Sequence, residues 1–253
     1  GIAAASASGN YGSTRAAAAI VGHANLNLGS SVKPVLEQLQ AASPNRFRGI
    51  RHPVTWDPHS EISNTASHKA QGQLSSAPFR EGAKVLSDMG MSFDAWLYFP
   101  QLLELAEFAK AVPDLTIILN HIGGLLRTGP YSNNDEEVLK TWKDGIAQVS
   151  ECPNVVVKLG GITQPRTGYN WHSRKKPIGS QELSDVMTPL MNHCIEKFGP
   201  DRCMFESNFP PDKVGCSYNV MFNSFKRLSS GYSDSERSDM FHDTATRIYK
   251  IEE

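Results

Sequence analysis

The residues best suited to chemistry in this chain stand at the ends of short apolar runs. Thr116-Ile117-Ile118-Leu119 leads into Asn120-His121-Ile122-Gly123-Gly124. Imidazole changes charge near neutral pH, so His121 suits proton transfer or metal ligation. The glycines allow a sharp turn and close approach of backbone to a ligand. A buried, hydrogen-bonded histidine without chemistry is the duller alternative for a single such residue. The pattern recurs, however. His23 follows Ala19-Ile20-Val21-Gly22, Arg51-His52 follows Phe47-Arg48-Gly49-Ile50, and Tyr98 closes Phe93-Asp94-Ala95-Trp96-Leu97. Lys158 ends Val155-Val156-Val157, and Asn208 comes just after Arg202-Cys203-Met204-Phe205. Arginine as a planar fork and lysine as a point charge can each clamp a carboxylate or an oxyanion.

These runs need a scaffold that brings their ends together. Runs of β-branched and aliphatic residues read as strands buried on both faces. Between them lie helical patterns: residues 31–42, 79–89, 101–112, 134–149 and 180–198, then two more, the last running from Ser233 to about Ile251. Asn134 with Glu137, and Ser233 with Glu236, have the spacing of a capping box. Six strands alternating with helices predict an α/β fold with a parallel sheet. A doubly wound sheet would gather only some strand ends at one crevice, whereas a barrel gathers all of them at one mouth. The barrel is therefore the expectation and the doubly wound sheet the alternative. The long polar stretches 54–76 and 162–178 are expected to be functional loops. With no linker or composition break, residues 1–253 read as one domain.

Composition excludes several classes. The 253 residues are 40% hydrophobic and 20% charged, with a net charge of −1. That balance offers no global field for nucleic acid or an anionic membrane. No apolar run reaches the ~18 residues needed to span a bilayer. Residues 1–12 lack the basic and apolar regions of a signal peptide. Cys152, Cys194, Cys203 and Cys216 have no metal-ligand spacing and read as reduced thiols, so a cytoplasmic protein is expected. No glycine fingerprint for dinucleotide or nucleotide phosphates is present. The expected partner is a small-molecule substrate, and a homodimer is the default assembly.

Taken in order, Ala19-Ile20-Val21-Gly22-His23, Phe47-Arg48-Gly49-Ile50-Arg51-His52, Leu119-Asn120-His121-Ile122-Gly123 and Arg202 through Pro210 resemble the amidohydrolase-related barrel hydrolases. The branch they are most similar to holds sugar lactonases and 2-pyrone-4,6-dicarboxylate lactonase. The resemblance covers nearly the whole chain. It implies a (β/α)8 TIM barrel that hydrolyses a small carboxylated or sugar-like lactone, with related decarboxylases on the same scaffold. Three departures stand out. The family opens with a strand bearing His-x-His, which this sequence lacks, so the chain is expected to begin near the third family strand. The family's last strand ends in an aspartate, and the matching residue here is Asn208. The resemblance leaves two alternatives for the cofactor, one divalent, zinc-like metal in the full-length protein or none, as in some lactonases of this type; no residue of this chain is assigned to a metal, because His121 alone does not make a catalytic zinc site.

Within that frame His121 is the candidate to polarise a carbonyl or carry protons, with His52 assisting. Asp212 is the candidate water-activating base and Asn208 its orienting partner, a solvated loop acid being the duller reading of Asp212. Arg51 and Lys158 are candidate clamps for a substrate anion; simple ion pairing and snorkelling are their alternatives. Trp96, Tyr98 and Gln101 are expected to line the mouth, or else to pack, and Trp171 to cover the pocket. His23 is read as structural, and His59, His68, His172, His193 and His242 as surface or loop residues. A truncated or degenerate barrel that only binds a ligand is the competing reading, favoured by Asn208 and the missing His-x-His.

Overall fold

Each apolar run becomes a strand in a computed structural model of the chain, which describes residues 2–10, 12–13, 15–62 and 71–251. The strands are β1 (Ile20–Gly22), β2 (Phe47–Pro53), β3 (Ser92–Trp96), β4 (Ile117–Leu119), β5 (Val155–Leu159) and β6 (Cys203–Phe205). All pair in parallel, in the order β1-β2-β3-β4-β5-β6. A doubly wound sheet reverses its strand order part-way. This one never does, so it curls in one direction, as a half-barrel. Six strands were expected of this chain, and the described residues form six.

The helices are α1 (Ile2–Ala7), α2 (Lys33–Ala42), α3 (Ala77–Asp88), α4 (Leu102–Ala111), α5 (His121–Gly124), α6 (Asp135–Ser150), α7 (Ser180–Phe198), α8 (Tyr218–Leu228), α9 (Asp234–Ser238) and α10 (Thr244–Tyr249). The capping box at Ser233 and Glu236 forms as expected. The one at Asn134 does not: its side-chain amide donates to the Glu137 carboxylate at 2.7 Å and leaves the helix N–H groups alone. The last expected helix is also divided, by a π-helical stretch, Asp239–Asp243, between α9 and α10. The described parts of the two long loops carry short 3-10 turns; residues 63–70, His68 among them, lie outside the described residues.

Alternation along the strands sorts the side chains onto two faces. Ile50, Phe93, Ile117, Leu119, Val155, Val157 and Cys203 face the helices and join the main core with Phe79, Phe108 and Trp142. The other face carries Ile118, Val156 and Met204, over which Ile248 and Tyr249 pack in a smaller cluster. Register places Arg51 beside Asp94, Asp94 beside Ile118, and Ile118 beside Val156, so one row across this inner face passes from charged to apolar. All four cysteines are buried and unbridged.

Gly49 sets how closely β2 approaches β3. A Cβ there would sit 2.2 Å from Ser92 Oγ and 2.5 Å from the Ser92 carbonyl oxygen. The carbonyl is backbone and cannot rotate aside. Gly49→Ala should therefore destabilise the fold by about 1–3 kcal/mol, measured by urea denaturation. Adding Ser92→Ala should recover little of the loss; an unchanged midpoint in Gly49→Ala would remove this contact from the account.

Candidate active site

Two glycines after β5 open the space in which the central contact forms. A Cβ on Gly161 would lie 2.5 Å from His121 Cβ, and one on Gly160 would lie 2.6 Å from Glu206 Cγ. The imidazole of His121 and the carboxylate of Glu206 meet in that space. Glu206 Oε1 accepts from the His121 ring at Nδ1 and from the His121 backbone N–H at 3.0 Å. On the other side of the ring, Arg51 Nη2 stands 3.0 Å from Nε2. A guanidinium only donates. Nε2 is then an acceptor and Nδ1 carries the proton, which Glu206 receives as a hydrogen bond.

The backbone is bent to achieve this. His121 and Ile122 have φ of +55° and +45°, and Gly123 and Gly124 continue the left-handed turn at +78° and +62°. Asn208, after β6, has φ of +49°. Non-glycine residues in this region cost of order 1–3 kcal/mol each and cluster where function holds them. Gly124 is obligatory for a second reason: a Cβ there would fall 2.0 Å from the Leu97 carbonyl oxygen.

Beneath the dyad lies a second charged group. Lys158 Nζ bonds Asp94 Oδ1 at 2.6 Å. The same carboxylate accepts from Asn120 Nδ2 at 3.0 Å and from the Tyr249 hydroxyl at 3.0 and 3.2 Å. Burial opposes the charge of Lys158, but Asp94, Tyr249 and Glu206 outweigh it and hold the ammonium above its ordinary range. For Glu206, burial pushes the carboxyl up, while His121 and Lys158 pull harder and leave it below its usual range. Both groups therefore stay charged near neutral pH.

Aromatic rings wall the dyad. Trp96 packs edge-on to His121 at 4.7 Å between centroids, and Tyr98 packs edge-on to Trp96 at 5.8 Å. Two guanidiniums lie against Trp96: Arg51 at 5.8 Å and Arg166 at 4.7 Å from its ring centre. The loop after β5 carries Arg166, which bonds Gln164 Oε1 through Nη1 and the Gly161 carbonyl oxygen at 3.3 Å through Nη2.

The structure thus brings His121, Arg51, Lys158, Trp96 and Tyr98 together, and corrects four expectations. His52 points to the opposite face of β2, where its ring accepts from the Leu26 N–H at 3.1 Å, meets Gln73 and packs on Phe79. Gln101 is buried and uses its carboxamide on the backbone of Val54, Trp56 and Tyr98, tying the loop after β2 to the end of β3. Trp171 is buried and stacked on Tyr169 at 4.5 Å, which steadies the loop carrying Arg166 rather than covering a pocket. Asp212 is not a solvated acid, and its carboxylate, expected to activate water, is enclosed by protein. It is completely buried, with Oδ1 accepting from Asn208 at 2.7 Å and Gln164 at 2.9 Å, and Oδ2 from the Thr163 N–H at 3.3 Å. Asn208 does orient toward Asp212 as expected, but as part of this loop brace. His23, read as structural, is exposed, with its Nδ1 3.0 Å from the Arg51 carbonyl oxygen.

Sequence reasoning missed Glu206, Asp94 and Arg166. Alternation held the signal for two of them: Asp94 lies between outward-facing Phe93 and Ala95, and Glu206 lies two residues beyond inward-facing Met204. Arg166, in an irregular loop, has no such periodic signal.

The family model described as Amidohydrolase matches residues 13–251. The chain belongs to the amidohydrolase family. Among amidohydrolase relatives, it is 34% identical over 233 residues to a Sinorhizobium fredii protein called Uncharacterized protein y4mH, covering 92% of this chain and 69% of that one. It is 24% identical over 237 residues to L-fucono-1,5-lactonase of Burkholderia multivorans, covering 93% and 72% of the two. A crystal structure of a Burkholderia multivorans amidohydrolase with bound zinc superposes with a TM-score of 0.74 at 22% identity, over 93% of this chain and 74% of that one. The described residues of the present chain do not fit such a metal. No three His, Cys, Asp or Glu side chains among them are grouped to hold one. The one lone pair His121 could offer, on Nε2, faces the Arg51 guanidinium.

The Glu206 contact should register in the pH dependence of stability. A carboxyl depressed in the folded state contributes stability above its unfolded pKa and loses it as pH falls through the folded value. The stability advantage of the wild type over Glu206→Gln should therefore be full above about pH 5 and shrink in acid, by urea denaturation at each pH. A constant difference across that range would contradict the direction assigned to Glu206.

Proposed function

We propose that this amidohydrolase opens a small lactone, or a related carbonyl compound, by attack of an activated water. The reading is carried by one observation: His121 stands between Glu206 and Arg51 at the carboxyl edge of the sheet. The lactonase named among the relatives supports the substrate class.

Each residue has a task that its geometry suits. His121 Nε2 takes a proton from water as the hydroxide adds to the carbonyl carbon. Glu206 holds the Nδ1 proton in place and balances the imidazolium that results. Arg51 puts positive charge beside the imidazole and orients the substrate at the point of attack. The ring C–O bond then breaks, and His121 returns the proton to the departing alkoxide, so a hydroxy acid leaves. Lys158, anchored on Asp94, keeps the Glu206 carboxylate ionised throughout. Trp96 and Tyr98 wall the reacting centre. The non-catalytic alternative leaned on Asn208 standing where a carboxylate was expected; Glu206, two residues earlier, supplies that carboxylate by another route.

The test is a lactonase assay on a panel of aldonolactones and carboxylated lactones, comparing wild type, His121→Ala and Glu206→Gln. Loss of a positioned proton carrier should lower kcat by roughly 10²–10⁴-fold in His121→Ala, with a smaller fall in Glu206→Gln. Equal rates for wild type and His121→Ala would remove the dyad from the mechanism.

A further inference from the structure

The two arginines at Trp96 have a property the hydrolytic reading does not use. Among the described residues, neither Arg51 nor Arg166 has a carboxylate within ion-pairing distance. The Nε–H of each is buried with no hydrogen-bond partner. Leaving a charged donor unpaired away from water is costly, and two on one wall are costlier. Burial pulls the Arg166 guanidinium below its usual range; Asp212 opposes this and Arg51 adds to it. Both sit against the same indole, close enough together for the charge of Arg51 to act on Arg166.

We propose that Arg51 and Arg166 form a receptor for an oxyanion group carried by the substrate, a carboxylate or a phosphate distinct from the carbonyl that is attacked. This rests on the hydrolytic reading and narrows it to anionic substrates. The forked guanidinium matches two oxygens of such a group, and charge-assisted bonds of this kind are about twice as strong as neutral ones. The receptor also bears on the base. Arg51 Nη2 occupies the Nε2 lone pair of His121 in the present structure. An anion that turns Arg51 toward itself frees that lone pair for water, so the substrate's charge helps expose the base it needs.

The binding test uses calorimetry with malonate, inorganic phosphate and uncharged malonamide as probes. Saturable binding of malonate or phosphate, absent for malonamide, is expected; the tighter of the two anions identifies the group. Arg166→Gln should weaken that binding by about tenfold or more, and Arg166→Lys, which keeps charge but not the fork, by less. Unaltered thermal melting would show that either variant is folded; if Arg166→Gln is not, Arg166→Lys and the salt dependence of wild-type binding carry the test. The kinetic test compares kcat/KM for a carboxylated lactone and its methyl ester, whose ratio should fall about tenfold in Arg166→Gln. Anion binding that is absent in the wild type, or equal in wild type and both variants, would overturn the receptor. Malonate bound without any lactone hydrolysed would leave the receptor standing and sink the hydrolytic reading alone.

Discussion

The contact between Glu206 and His121 is the constraint around which this half-barrel is arranged. One carboxylate oxygen receives both the ring and the backbone N–H of the same histidine, which fixes the imidazole in position, orientation and tautomer together. That is possible only because the chain turns left-handed at His121 and Ile122 and because Gly160 and Gly161 leave no side chain in the way. Glycine is required at these positions for what its neighbours do.

Charge on the inner face is balanced in layers. Asp94 lies deepest and is satisfied by Lys158, Asn120 and Tyr249, so a residue from the end of the chain completes a group on β3. Above it, Glu206 is held ionised by His121 and Lys158. Above that, among the described residues, the arginines at Trp96 have no carboxylate within ion-pairing distance. A buried charge without a countercharge is expensive. Its persistence at the strand ends, with the strained backbone of His121 and Asn208 close by in sequence to Gly123 and Glu206, marks this edge rather than the opposite one as the place for chemistry.

The loops have a different task from the one expected of them. Gln101 ties residues 54–56 down; Trp171 and Tyr169 stack on each other within the loop that carries Arg166; Asp212, Asn208, Gln164 and Thr163 lock the segment after β6. Four of these residues, Gln101, Trp171, Asp212 and Asn208, had been assigned to substrate or catalysis. Each instead holds backbone in place, which is how a rigid site is built from irregular segments.

The sequence by itself determined the strands, most of the helices and the parallel α/β class. Runs such as Val155–Val157 and Ile117–Leu119 are local patterns, and local patterns survive without knowledge of the fold. It also singled out His121, Arg51, Lys158, Trp96 and Tyr98, because a polar residue closing a buried run is visible in one dimension. The tertiary structure alone decided which of the polar residues meet. His52 and Arg51 are neighbours in the chain and point to opposite faces, while His121 and Glu206 are 85 residues apart and share a hydrogen bond. Which carboxylate meets the His121 ring and which braces a loop depends on donors arriving from other strands and loops, as Glu206 and Asp212 demonstrate. Those encounters are set by sheet register and loop packing, and no spacing along the chain encodes them.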